Sequence, residues 1–133
     1  MRIDLPMTFA LWTILVAAIL PLLATSMAKA GASGYDNASP RTWETRLSGW
    51  RARANWAHRN HIEAFPVFAA AVLVAQVAHG PQAVVDGLAA VFIVARIGYT
   101  AAYVMDKASL RSALWLIGFV CDILLFCSPL MKG

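Results

Sequence analysis

Asp, Glu, Lys and Arg are absent from residues 5–28 and again from residues 64–85. A helix needs roughly 20 apolar residues to cross a hydrocarbon core of about 30 Å, so each uncharged run is long enough to span. A third apolar segment covers 83–105 and is interrupted by Asp86 and Arg96, and a fourth covers 112–131 and contains Asp122. The pattern predicts four transmembrane helices, at about 5–28, 64–79, 83–105 and 112–131, in one domain of residues 1–133. The only substantial loop runs from 29 to about 49 and holds Gly31, Ser33, Gly34, Asp36, Asn37, Ser39 and Pro40 as turn residues. Short loops elsewhere make neighbouring helices antiparallel. The expected fold is therefore all-α, an integral membrane up-and-down four-helix bundle. After Pro40 the apolar and basic spacing turns helical, so the second helix begins before Arg51 and projects into water before it enters the bilayer.

Composition supports the membrane reading. Hydrophobic residues are 60% of the chain and charged residues 14%, against about 45–50% and 25% in soluble domains. A disordered chain and a disulfide scaffold are excluded, the latter because there are two cysteines. Arg2, the first apolar stretch and Ala28-Lys29-Ala30 look like a cleavable secretion signal, but such a core runs only about 7–15 residues. A retained helix is the better reading. The first loop and its flanks carry Lys29, Arg41, Arg46, Arg51, Arg53 and Arg59, and the third loop Lys107 and Arg111; the other face has only Arg2 and Lys132. This asymmetry puts loops 1 and 3 on the cytoplasmic face. Orientation, interfacial anchoring by Trp43, Trp50 and Trp56, and attraction to lipid headgroups account for most of these charges, with no nucleic acid partner.

Polar side chains at bilayer depth carry the chemistry. On the second helix Trp56, Arg59, Asn60 and Glu63 fall within an arc of about 100°, and on the third Arg96, Tyr99 and Tyr103 fall within about 60°. A lipid-facing arginine at mid-span costs at least about 2.5–3.5 kcal/mol, so Arg96 should turn inward and meet a carboxylate. Glu63 is the first choice for that buried structural pair, with Asp122 and Asp86 as alternatives. Leu110-Arg111-Ser112 opens the fourth helix, where free N–H groups and a partial positive charge attract anions. With Arg59 and Asn60 these residues suit a small, anionic, peptide-like ligand. A thiol bound beside such cations is shifted toward thiolate. His58, His61 and Glu63 lack a second ligand cluster, so no metal is expected. Cys121 and Cys127 lie about 120° apart on one helix and read as reduced, packed thiols.

Three pieces of this sequence resemble the membrane-associated proteins in eicosanoid and glutathione metabolism. They are Ala57-His58-Arg59-Asn60-His61-Ile62-Glu63-Ala64-Phe65-Pro66, then Ala95-Arg96-Ile97-Gly98-Tyr99 with Tyr103, then Leu110-Arg111-Ser112. The loop text Tyr35-Asp36-Asn37-Ala38-Ser39-Pro40-Arg41 is similar to bacterial members. The resemblance implies a homotrimer with glutathione as co-substrate in clefts between subunits, without a metal. It implies glutathione contacts from Arg59, Asn60, Glu63, Tyr99, Tyr103, Arg111 and Ser112, with Arg111 stabilising the thiolate and Tyr103 beside it as the second catalytic candidate. The implied activity is transfer of glutathione to lipophilic small-molecule electrophiles, or reduction of lipid hydroperoxides, in a bacterial cytoplasmic membrane. Several members have arginine where this chain has Trp56. Arg53, one turn earlier, is the candidate replacement, and Lys29 is the candidate first-helix residue reaching a neighbouring site. The alternative implied role is non-catalytic lipid binding, as in the five-lipoxygenase-activating protein.

Overall fold

The computed structural model describes residues 5–131. Arg2 and Lys132, which entered the charge comparison, lie outside the described residues. Helix α1 spans Phe9–Lys29, α2 is a short turn of helix at Pro40–Glu44, and α3 spans Gly49–Val77. Helix α4 spans Gln82–Val104, α5 spans Ala108–Cys127, and a 3-10 turn follows at Ser128–Leu130. Helices α1, α3, α4 and the segment from Ala108 to Leu130 are each long and apolar enough to cross a membrane. The chain is an all-α four-helix bundle with up-and-down connectivity, and α2 lies in the first loop.

Helix boundaries depart from the uncharged runs for local reasons. Helix α1 begins after Thr8, whose hydroxyl accepts from the Leu11 amide and caps the first turn. Helix α3 begins at Gly49, far ahead of residue 64, because its first turns are built from alanine and arginine, which favour helix. Helices α3 and α4 each end in a left-handed residue, His79 at φ 59° and Asp106 at φ 60°. Those residues let Gly80 N–H reach the Ala75 carbonyl and Lys107 N–H reach that of Ala102, so both helix ends close on themselves.

Small residues set the seams of the bundle. Ala10, Ala17, Ala24 and Ala28 line the buried face of α1, opposite Ala54, Ala57, Ala71 and Ala75 of α3. In lipid there is no hydrophobic drive between helices, so close backbone approach and van der Waals contact hold them, and small side chains permit it. The larger apolar residues, among them Trp12, Leu22, Val94 and Phe119, are exposed on the outside. Deeper in the bundle Phe68 and Phe92 stack with ring centres 3.8 Å apart. Polar groups cluster at two levels. At the level where α1 begins, Asp86 accepts from the Ala10 amide at 2.9 Å and from Gln82 Nε2 at 2.8 Å. It thereby satisfies an N–H that the first turn of α1 leaves free. Thr8, Gln76 and Gln82 complete that cluster through their side chains.

Arginines of α3 tie off the other end. Arg51 Nη1 donates to the Ala28 and Ala30 carbonyls at 2.9 and 2.6 Å, at the end of α1. Arg53 Nε donates to the Val104 carbonyl at 3.1 Å, at the end of α4. Helix C-termini carry unpaired carbonyls and a partial negative charge, so a cation there satisfies both. The α3–α4 turn is packed without slack: a Cβ on Gly80 would lie 2.5 Å from Ser128 Oγ and 3.2 Å from the Ala75 carbonyl. Gly80→Ala is expected to destabilise the bundle by about 1–3 kcal/mol through overpacking. Adding Ser128→Gly, which removes the nearest atom, should recover part of that loss in thermal unfolding in detergent micelles.

Candidate functional site

Arg96 sits between α3 and α4 and is only 2% exposed. Its Nε and Nη2 approach His61 Nδ1 at 3.3 and 3.1 Å, and its Nη1 donates to Asn60 Oδ1 at 2.9 Å. A guanidinium has hydrogens to give and no lone pair to offer, so His61 Nδ1 must be the acceptor and the ring hydrogen sits on Nε2. That Nε2 lies 2.7 Å from Thr100 Oγ1, which in turn donates to the Arg96 carbonyl at 3.2 Å. The bonds form a closed circuit from the Arg96 side chain through His61 and Thr100 back to the Arg96 backbone. Asn60 extends it outward, its Nδ2 donating to Glu63 Oε2 at 3.5 Å.

The expected direct pair between Arg96 and Glu63 is therefore not formed, nor is either alternative among the described residues. In the antiparallel register Arg96 lies level with residues 60 and 61. Positions two apart on a helix point about 200° from each other, so when His61 packs directly on α4, Glu63 is turned off that seam to an exposed position at the edge of the cleft between α3, α4 and α5. Asp86 is engaged by the start of α1. Histidine and asparagine supply the acceptors that a carboxylate was expected to supply.

From Arg96 a run of stacked groups leads to the loop face. Arg96 Cζ lies 4.3 Å from the Tyr99 ring centre, Tyr99 meets Tyr103 edge-on at 5.5 Å, and Arg111 Cζ lies 4.5 Å from the Tyr103 ring centre. Trp56 closes on Tyr103 from α3 with ring centres 6.2 Å apart. Cations over aromatic faces gain about 0.5–2 kcal/mol, most where water is excluded. The structure thus brings together Asn60, Glu63, Arg96, Tyr99, Tyr103 and Arg111 in one connected array across three helices.

Arg59 and Ser112 stand apart from that array. Arg59 Nη2 contacts Glu44 Oε2 at 3.4 Å, and Arg41 reaches the same oxygen at 3.3 Å. Ser112 is exposed, and its side chain has no hydrogen bond among the described residues. Arg53, the candidate replacement at Trp56, and Lys29, the candidate first-helix residue for a neighbouring site, are also occupied. Arg53 caps α4, and Lys29 lies 3.2 Å from the Tyr35 hydroxyl and over its ring. His61, Thr100 and Glu44 are the participants that sequence reasoning missed. The register of two antiparallel helices would have pointed to His61 and Thr100, both facing Arg96. No local signal marks Glu44, which comes from a five-residue helix in the first loop.

Between α3, α4 and α5 a cleft of about 200 Å³ opens beside this array. Asn60, Glu63 and Arg96 line it toward the loop face, and Phe92, Trp115 and Asp122 line it from deeper in the span. The MAPEG family model matches residues 9–131. No curated protein matches the chain.

The circuit around Arg96 makes a direct prediction. His61→Ala leaves a buried cation short of an acceptor and should cost about 1.5–3 kcal/mol, the range for hydrogen bonds to charged groups. His61→Asn, which keeps an acceptor oxygen, should cost less. Thermal unfolding of the detergent-solubilised variants measures both.

Proposed function

The chain belongs to the MAPEG family and is an integral, multi-pass membrane protein; from that membership we propose a glutathione-dependent transferase or peroxidase acting on lipophilic small molecules. The observation that carries this reading is the array of Arg111, Tyr103, Tyr99 and Arg96, continued by Asn60 and Glu63. Its charges complement a tripeptide that has two carboxylates, one ammonium and one thiol. Cationic Arg111 and Arg59 suit the carboxylates, Glu63 suits the ammonium, and Asn60 and Ser112 offer further polar contacts. Arg59 is free to exchange partners, because its own side chain is exposed and Arg41 reaches the same Glu44 oxygen and can keep that carboxylate paired.

Glutathione supplies the thiol, whose sulfur displaces a leaving group from carbon or, with a second glutathione, reduces a hydroperoxide to an alcohol and water as the two thiols are oxidised to a disulfide. Arg111 is the group proposed to hold that thiol as thiolate, since an adjacent cation favours the charged form. Tyr103 fixes the guanidinium from below through its ring face. Tyr99 does the same for Arg96, so the two cations are held at set positions without hydrogen-bonded carboxylates that would neutralise them. Side-chain entropy that a mobile arginine loses on binding is thus already lost in the fold.

Family resemblance further supports a homotrimer with its sites between subunits. It also supports a bacterial-type member in the cytoplasmic membrane, with loops 1 and 3 on the cytoplasmic side. Non-catalytic lipid binding, as in the five-lipoxygenase-activating protein, is the second reading. Trp56 favours it, because a half-exposed indole stands against Tyr103 where several members have arginine.

Titration of the solubilised protein with glutathione, followed by thiolate absorbance and by turnover, separates the two. The wild-type chain should develop thiolate absorbance. Arg111→Ala should lose it and slow turnover by about 100-fold, the scale for removing one preorganised charge-stabilising group. Binding and turnover unchanged in Arg111→Ala would overturn the assignment, and wild-type protein with neither would favour the lipid-binding reading.

A further inference from the structure

We infer that the deep end of the cleft between α3, α4 and α5 binds the hydroxylated ring of a small membrane-soluble phenol, with Asp122 accepting the hydroxyl hydrogen. Asp122 is 4% exposed and lines the cleft, and its Oδ1 has no hydrogen-bond partner among the described residues. No ion pair joins it to Arg96 among those residues, because Arg96 is committed to His61 and Asn60. A buried acceptor without a donor is costly in any protein, and more so at bilayer depth. A ligand that brings an O–H into the cleft supplies a donor to this carboxyl group.

Size and lining narrow what that is. An engineered apolar cavity of about 150 Å³ holds one benzene molecule, so a cleft of about 200 Å³ takes a single ring with a small substituent. Phe92 forms one wall and is held flat by its stack on Phe68. Trp115 and Phe119 stack on each other along α5 and form another. Gly118 keeps the space between them open: a Cβ there would stand 3.5 Å from the Phe92 ring and 3.8 Å from Arg96 Cδ. Phe92, Trp115 and Phe119 supply the apolar walls beside Asp122, and Asn60, Glu63 and Arg96 line the cleft toward the loop face. An aromatic ring carrying one O–H satisfies both the walls and Asp122.

Asp122 lies eleven residues beyond Arg111, which places it about 16 Å deeper and on the same side of α5. At that distance from Arg111 a single ring stays clear of the proposed thiolate, so the phenol site stands on the cleft alone and not on the glutathione reading above. Trp115 and Phe119 are exposed on their outer sides, so a ring can enter from the lipid.

Isothermal titration calorimetry of the full, detergent-solubilised chain with 4-ethylphenol and with 4-ethyltoluene tests the inference, since the methyl group of the hydrocarbon is close to the hydroxyl in size and lacks the donor. Wild-type protein should bind the phenol at least about tenfold more tightly. Asp122→Leu should abolish that preference, Asp122→Asn should retain part of it, and Gly118→Leu should block both ligands by filling the cleft. Equal affinities in the wild-type chain would overturn the inference even if no variant folds. So would a preference that survives Asp122→Leu, or ring binding that survives Gly118→Leu. Glutathione binding is followed by thiolate absorbance on the same samples. Absence of phenol discrimination in the wild-type chain with its glutathione binding intact refutes the phenol site alone, and discrimination without glutathione binding refutes only the glutathione reading.

Discussion

A guanidinium enclosed between two membrane helices must receive its acceptors from the protein, because lipid offers none and water is far away. That requirement organises the middle of this bundle. His61 and Asn60 face α4 to supply the acceptors, Thr100 fixes the imidazole, and Tyr99 covers the open face of the cation. The rotation of α3 about its axis follows from those contacts. Glu63 is left pointing toward the cleft and Trp56 toward Tyr103. The array proposed to receive glutathione is thus positioned by a buried cation that has no need to touch the ligand.

Much of the architecture was legible in the chain, and the reason is the solvent. A bilayer core tolerates few charges, so the uncharged runs mark where the chain crosses. Helix ends were less legible. The start of the second long helix ahead of Arg51 was read from the turn to helical spacing after Pro40 and is met at Gly49, whereas the left-handed closures at His79 and Asp106 carry no glycine to mark them. The inward turn of Arg96 followed from cost alone, whereas its partner did not. A carboxylate was the electrostatic expectation, and a neutral imidazole with an amide took that place because the register put them level with it. The grouping of Tyr99, Tyr103 and Arg96 was readable from helical spacing, whereas the expected opening of the last helix at Leu110-Arg111-Ser112 was not met: α5 begins at Ala108, and the Arg111 amide already donates to the Lys107 carbonyl. The removal of Arg59 to Glu44 was not, since α2 is placed by tertiary contacts of Trp43 and Tyr35 rather than by a pattern of its own.

The two polar levels of the bundle do different work. Near the start of α1, every polar side chain of the Thr8, Gln76, Gln82 and Asp86 cluster has partners within the cluster or in a helix end. Such a closed set specifies packing and leaves nothing for a ligand. The level between Arg96 and Arg111 is open: its cations lie on aromatic faces and its cleft ends in an unpartnered carboxylate oxygen. Satisfied polar groups and unsatisfied ones at similar depth thus separate scaffold from site within a single bundle.

The attachment of Arg51 and Arg53 to main-chain carbonyls has a consequence for how the molecule tolerates change. A carbonyl is present whatever residue occupies Ala28, Ala30 or Val104, and it neither titrates nor departs with mutation. These fastenings are therefore indifferent to the identity of the residues they grip and to acidification, which would loosen a carboxylate clasp. The chemistry of the rim is free to drift while the joinery of the helices stays the same.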